Sequence, residues 1–122
     1  MSHVKIEVQG IKEFKRFINK LSKDKLKSFK NSIKEAGFFV EAEVVASIAG
    51  QRAEPRSVDT GRFMGSVKTT FPNDMMAQVA SDVEYAKHLE YGTSRMLPRK
   101  HFHNTATRNQ KKVSEFVLKS IK

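Results

Sequence analysis

The side chains of this sequence that could bind a metal ion or transfer protons are four histidines and a small group of carboxylates. The histidines are His3, His88, His101 and His103, and only the last two are close in sequence. A His-x-His pair can bind a metal ion from an extended segment, but no third ligand lies at a recognisable spacing from it. We therefore interpret His101 and His103 as exposed histidines of a linker, and we predict no metal site.

Paired carboxylates would offer general acid and base catalysis. Asp59, Glu84 and Glu90 are the candidates, and catalysis would require a cleft whose apolar walls shift their pKa values apart. The surrounding sequence supplies no such walls. We predict that the chain is not an enzyme.

The sequence also shows no motif of an activated nucleophile and no phosphate-binding loop. The chain has no cysteine, and its serines lack the glycine-flanked turn of a nucleophile elbow. The segment Gly61 to Gly65 lacks the lysine and hydroxyl ending of a nucleotide-binding loop. We therefore predict no cofactor.

Two short motifs carry more information than these candidates. They are Asp59-Thr60-Gly61-Arg62 and Glu90-Tyr91-Gly92-Thr93. Each places a glycine beside a threonine, which is typical of a sharp turn that leads back into regular structure. We predict that Asp59 accepts backbone N–H groups at the first turn. We also predict an ion pair between Arg62 and Glu90, within the fold or between subunits.

Charge is distributed unevenly along the 122 residues, which have a net charge of +10. Residues 1–35 sum to +6, residues 36–94 to −3 and residues 95–122 to +7. Two basic ends suit contact with nucleic acid, or a subunit whose ends meet the acidic centre of its neighbour. They are equally typical of solvated lysine-rich helix faces. No apolar run approaches the about 20 residues that cross a bilayer, so we predict no membrane contact.

The N-terminal half is predicted to be one strand and two helices. Val4, Ile6 and Val8 alternate with polar residues, as in a half-buried strand. A short amphipathic helix is predicted from Ile11 to Leu21. A long helix is predicted from Asp24 to Ala49, with Ser22 as N-cap and Gly50 as its stop.

The C-terminal half is predicted to contain a hairpin and a final helix. An exposed loop at 50–58 leads to strands at Ser66 to Phe71 and Met75 to Val83, joined by a turn at Pro72. One helical turn should end at Gly92 and an extended linker should precede the last helix, which is predicted for 103–121. The fold class is α+β, with a long N-terminal helix, a central antiparallel hairpin or small sheet, and a C-terminal helix in a single domain, 1–122.

Three segments of the chain together resemble a known family. They are Asp59 to Val67, Tyr85 to Thr93 and Pro98 to Phe102, in that order around the hairpin. The arrangement resembles the neck, or head-tail joining, proteins of long-tailed bacteriophages, also described as minor tail or tail-completion components. Phe63 stands where that family often has leucine, and Lys100-His101 interrupts its usual Arg-Pro-Phe run.

The resemblance implies a structural virion protein of a phage or prophage, assembled in the bacterial host cytoplasm and located in the tail or neck. It implies a homo-oligomeric ring or collar at the head-tail junction, in contact with head-closure or connector proteins and with tail-terminator or tail-tube proteins. DNA would pass through the lumen, close to the protein but without sequence recognition. The implied turn and interface residues are Asp59, Thr60, Gly61, Arg62, Tyr85, Glu90, Tyr91, Gly92, Thr93, Arg99 and Phe102.

Within this set, Thr60 and Gly61 are expected to form the turn that redirects the chain into the hairpin. Tyr85 and Tyr91 are expected to be either core aromatics or interface anchors. Phe102 is expected to attach the final helix to the core.

Two other functions remain open at this stage. One is a basic nucleic-acid-binding module without enzymatic activity, which would use both basic ends. The other is a small enzyme with a carboxylate-histidine site, which would require His88 or His101 beside Glu90 or Asp59 in a pocket.

Overall fold

The longest element is helix α1, Lys23–Ile48, with 26 residues. The computed structural model of the protein describes residues 4–9, 20, 22–57, 61–73 and 75–120. The Ser22 side chain accepts the N–H of Lys25 at 3.3 Å, as predicted for an N-cap. Gly50 follows the helix with φ +83°, which a residue with a Cβ rarely adopts. Both predicted end signals of the long helix are therefore confirmed.

Three antiparallel strands form one sheet: β1 is Val4–Gln9, β2 is Lys68–Asn73 and β3 is Met76–Ser81. The strand order is β1-β3-β2, so the predicted hairpin is confirmed and the N-terminal strand joins it. Ile6 and Thr69 lie on either side of Val79 in the register. The outer strand β2 contains Pro72 and a shift of register between Thr70 and Asn73.

Three further helices complete the fold: α2 is Arg62–Ser66, α3 is Ala86–Tyr91 and α4 is His101–Lys119. Ser66 was predicted to begin the first hairpin strand, and this is wrong because it ends α2. Its hydroxyl donates to the Phe63 carbonyl at 2.6 Å, which holds the last turn of the helix. The last helix begins two residues earlier than predicted, at His101.

Helices α1 and α4 pack antiparallel, and both contact the sheet. The start of α4 lies beside the end of α1, where His101 contacts Ser47, and the Ser120 hydroxyl after α4 lies 3.2 Å from that of Ser32. The hydrophobic core contains side chains from helices α1, α2, α3 and α4 and from strands β1 and β3. Its buried apolar side chains are Val4, Val40, Val44, Ile48, Phe63, Val67, Val79, Val83, Ala86 and Phe102.

Two predictions concern residues that are differently placed or not described. The short helix predicted from Ile11 to Leu21 lies outside the described residues, Lys20 apart. The predicted exposed loop 50–58 is described to residue 57, and it is not exposed throughout, because Glu54 is only 5% exposed. No helix among the described residues has both the length and the apolar character needed to cross a membrane.

Helix α1 approaches the sheet most closely at Gly37. A Cβ at this position would lie 2.7 Å from the Ala77 Cβ and 3.0 Å from the Thr69 Cγ2. The helix can therefore lie this close to the sheet because glycine has no Cβ at this position.

We predict that Gly37→Ala destabilises the protein. Overpacking costs about 1 to 3 kcal/mol, and the better helix propensity of alanine returns up to about 1 kcal/mol of this. Urea unfolding measures the difference. Gly65→Ala in α2 is the control, because nothing lies within 4 Å of a Cβ there. Equal stability of the two variants would contradict the close approach, as would fully additive effects of Gly37→Ala and Ala77→Gly.

Candidate functional site

The carboxylate of Glu90 is the N-terminal cap of α4. Glu90 is only 3% exposed, its Oε1 accepts the N–H of Phe102 at 2.8 Å, and its Oε2 accepts the N–H of His103 at 2.8 Å. The residue before the helix, Lys100, makes no side-chain cap and has φ +52°. A negative charge at this position also interacts favourably with the helix dipole. Glu90 therefore determines where α4 begins, while its predicted ion pair with Arg62 stays a prediction.

Gly92 allows the chain to turn back tightly after α3. It has φ +79°, and a Cβ there would lie 2.8 Å from both the Met96 carbonyl oxygen and the Pro98 nitrogen. Thr93 and Met96 exchange backbone hydrogen bonds of 2.9 and 3.3 Å, and the Arg99 N–H donates to the Leu89 carbonyl at 2.7 Å. We call residues 91–97 the protruding turn. It begins at the last residue of α3 and is an irregular segment that these backbone hydrogen bonds hold in place.

Two large apolar side chains of the protruding turn face solvent. Tyr91 is 70% exposed and Leu97 is 86% exposed. Burying such side chains in a partner would be favourable, at about 25 cal/mol per Å² of apolar surface. Among the alternatives predicted for Tyr91, the structure thus excludes a position in the core of the isolated chain.

The other predicted site residues divide between the core and the periphery. Phe102 is buried and attaches α4 to the core, as predicted. Tyr85 is partly exposed and packs edge to face on Phe63, with ring centroids 5.9 Å apart. Gly61 precedes α2 with φ +80°, and Arg62 is the first residue of that helix. Asp59 and Thr60 lie outside the described residues.

A buried polar network connects α1, the loop after it and α4. The Ser47 hydroxyl donates to Glu54 Oε1 at 2.6 Å and lies 2.8 Å from His101 Nδ1. The other ring nitrogen, Nε2, lies 2.7 Å from the Ser57 hydroxyl. Arg99 donates to that hydroxyl at 2.8 Å and to the Arg56 carbonyl at 2.9 Å.

The direction of these hydrogen bonds assigns the histidine tautomer. Because the Ser47 hydroxyl gives its proton to Glu54, its oxygen accepts from His101 Nδ1–H. Because the pKa of His101 is lowered to about 4, the ring is neutral near neutral pH and Nε2 is unprotonated. Nε2 then accepts from the Ser57 hydroxyl, whose oxygen accepts from Arg99. His101 is therefore fully buried and hydrogen-bonded at both ring nitrogens. Our interpretation of His101 as an exposed linker histidine is wrong, because the helix begins earlier and turns the ring inward.

Glu54 is the charged centre of the network. Arg108 makes two hydrogen bonds of 3.0 Å to its two oxygens, and Asn104 adds one of 3.2 Å. Burial of the Glu54 carboxyl would raise its pKa, but the hydrogen bonds from Arg108, Ser47 and Asn104 outweigh burial and lower the pKa to about 2. Burial also lowers the pKa of His101 to about 4, and the Arg99 charge acts in the same direction.

This network is suited to holding the loop at 51–57 against the helices. Ser57 and His101 have the spacing of a serine and its general base. However, the His101 ring is inaccessible, and the acid Glu54 reaches it only through Ser47. A carboxyl with a pKa of about 2 is also a poor proton donor near neutral pH. Among the described residues no group of three histidine or carboxylate side chains could hold a metal ion.

Sequence reasoning missed Ser47, Glu54, Asn104 and Arg108. One signal was present, because Ser47 lies next to Ile48 on the apolar stripe of α1, and a polar residue at a buried position requires a polar partner. Nothing identified that partner. Glu54 lies in a segment of polar residues that is typical of a solvated loop.

No protein-family model, curated protein or solved structure matches this chain.

We predict that Glu90→Ala destabilises the protein by roughly 2 to 4 kcal/mol, because one buried and one partly buried N–H group lose their acceptor. Chemical denaturation followed by circular dichroism measures this. Glu84→Ala removes an exposed carboxylate six residues earlier and should change stability by about 0.5 kcal/mol or less. Equal denaturation midpoints for the two variants would refute the capping role.

We predict that stability falls as the pH is lowered from 6.5 towards 4, since His101 has an ordinary pKa of 6.5 when unfolded and about 4 in the fold. The unfolded chain binds the proton first, so acid favours unfolding in this window. Glu54 adds a further loss below 4.5, its ordinary pKa, because its pKa in the fold is also depressed. Urea unfolding across this pH range measures both losses.

His101→Gln should flatten the pH dependence between 6.5 and 4.5, whatever its effect on absolute stability. His88→Gln replaces an exposed histidine and should retain the slope of the wild type. A slope that survives in His101→Gln would show that another group titrates.

Proposed function

We propose that this chain is a structural virion protein of a long-tailed phage or prophage, which forms a ring or collar at the head-tail junction through which DNA passes. The observation that carries the proposal is the protruding turn. The motif that most resembles phage neck proteins, Tyr85 to Thr93, includes the first residues of this turn. The turn is held by backbone hydrogen bonds and carries exposed apolar side chains. Such a segment suits contact between subunits better than it suits chemistry.

A second surface could receive this turn. A groove with a volume of about 360 Å³ runs between α1 and α4, lined by Glu35, Ala36, Phe39, Lys112, Val113 and Phe116. Most of its walls are apolar, and the Lys112 ammonium lies 4.9 Å from the centre of the Phe39 ring. Leu97 is of a size and chemistry to fit there.

The turn and the groove lie at different ends of α4. The turn precedes the first residue of the helix, His101, whereas Val113 is 12 residues beyond that residue, or about 18 Å at the standard rise. We propose that the turn of one copy contacts the groove of the next head to tail and not reciprocally, because a reciprocal exchange would stop at a dimer. Contacts of this type close into rings when the rotation between copies permits it.

One charge pair is available to a second copy in the groove. Arg95 is exposed on the turn and Glu35 is exposed on the groove wall, while Lys112 on the same wall carries the same charge as Arg95. Neighbouring subunits in a collar would also meet head-closure or connector proteins on one side and tail-terminator or tail-tube proteins on the other.

We predict that Leu97→Asp prevents joining of heads to tails. A phage or prophage that lacks the gene is complemented with each variant, and particles are viewed by electron microscopy. Wild type should restore joined virions, whereas Leu97→Asp should leave filled heads and finished tails apart. Leu118→Asp is the control, because Leu118 is an exposed leucine on α4 that does not line the groove. Normal virions in the absence of the protein would refute the proposal.

The pairing of surfaces is tested separately by engineered disulfides. The chain has no cysteine, so Leu97→Cys together with Phe116→Cys introduces the only two thiols. They lie at different ends of α4, so a disulfide should form between copies and not within one. Oxidised assembled particles should yield a ladder of covalent oligomers. Absence of the ladder from joined particles would place the subunit contact elsewhere.

A further inference from the structure

One flank of α1 carries a line of lysines. Lys23, Lys27, Lys30 and Lys34 follow one another at spacings of four, three and four residues, which places them on one face of the helix. Lys23, Lys27 and Lys34 are exposed and Lys30 is half-buried. We call these four residues the lysine stripe. At 1.5 Å per residue it is about 16 Å long.

The stripe does not contribute to the packing of α1 on α4. Ser32, which contacts Ser120 after α4, lies about 200° around the helix from Lys30. Further towards the C-terminus of α1, the same face of the helix continues to Glu41. The Oε1 of Glu41 accepts from the Thr69 hydroxyl of β2 at 3.1 Å. The stripe is therefore an outer flank of α1, on the side of the edge strand.

Such a stripe weakens the helix that carries it. Lysines one turn apart repel one another by about 0.2 to 0.5 kcal/mol per pair. Lys23 also lies in the first turn, where the helix dipole disfavours positive charge. A polyanion on this flank would remove both penalties.

The charge is also concentrated by the tertiary fold. Because α1 and α4 are antiparallel, the N-terminal half of α1 lies beside the C-terminal half of α4, which carries Lys111, Lys112 and Lys119. The two basic segments that are farthest apart in sequence thus meet at one end of the molecule.

We propose that the lysine stripe binds the phosphate backbone of nucleic acid without reading its sequence. Lysine is a compact point charge on a flexible stem, and its contacts with phosphates carry no sequence information. Duplex DNA carries one charge per about 1.7 Å of axis, so the stripe spans more phosphates than it has lysines. This inference does not depend on the proposed function, although a stripe that faced the lumen of a ring would contact the passing DNA.

The test uses the isolated full-length chain and a fluorescent 30-base-pair duplex of arbitrary sequence, titrated by anisotropy at several salt concentrations. The triple variant Lys23→Gln, Lys27→Gln, Lys34→Gln should bind more weakly. Its plot of log K against log salt should be shallower by about 2.7, at about 0.9 for each phosphate that the variant no longer neutralises. Circular dichroism verifies that α1 is intact.

The matched control removes the same total charge elsewhere. Lys68→Gln, Lys87→Gln, Lys100→Gln replaces three exposed lysines that lie outside the stripe and outside the C-terminal half of α4. It should change the salt slope by less than about 1. A second duplex of unrelated sequence should give the same affinity as the first.

Three results would overturn the proposal. The first is an equal loss of slope in both triple variants, which would indicate a response to net charge alone. The second is wild-type affinity too weak to titrate at low salt, which would indicate a solvated lysine face. The third is equally tight binding to vesicles of anionic lipid, which would indicate a surface for any polyanion.

Discussion

The contact between the Glu90 carboxylate and the first N–H groups of α4 is the interaction on which the rest of the structure depends. Helix α4 has no cap of its own, since the preceding residue is a lysine in the left-handed region. The cap comes from α3, so the beginning of α4 and the end of α3 are joined at one point. This contact therefore also fixes the chain on both sides of the protruding turn. The same contact brings His101 to the first position of the helix, facing inward.

The network around His101 and Glu54 depends on that position. Burying an ionised carboxylate is costly unless hydrogen bonds and an opposite charge compensate, and Arg108, Asn104 and Ser47 do so here. The result is a loop that is polar in composition and yet fixed on both helices. A network with all of its members satisfied favours one arrangement over others, whereas one missing member leaves a buried charge.

The sequence predicted the parts of the fold that local patterns determine. The apolar period of α1 is uninterrupted and has a signal at each end, Ser22 and Gly50, so its bounds were predicted within one residue. The hairpin was predictable because its turn and alternation are local. The pairing of β1 with β3 was not, since strand patterns do not name a partner more than 60 residues away.

The candidate site was less predictable, for a physical reason. Glu90 was identified as a key residue, but its partners are backbone N–H groups, which every residue except proline supplies and which no pattern distinguishes. His101 was assigned to the surface because its partners, Ser47 and Ser57, lie 54 and 44 residues away. A buried polar network is a property of the tertiary arrangement. In the sequence its only signal is weak: a serine among the apolar positions of α1.

The outer strand β2 has one further consequence. An uncovered strand edge invites other chains to add to the sheet, and this risk grows with concentration. Pro72 lacks an N–H to offer a new strand, and the irregular pairing between Thr70 and Asn73 bends the edge out of line. Indefinite cross-molecular sheets are thereby discouraged at this edge. At this edge, crowded copies of the chain would meet through side chains and would not add strands to the sheet.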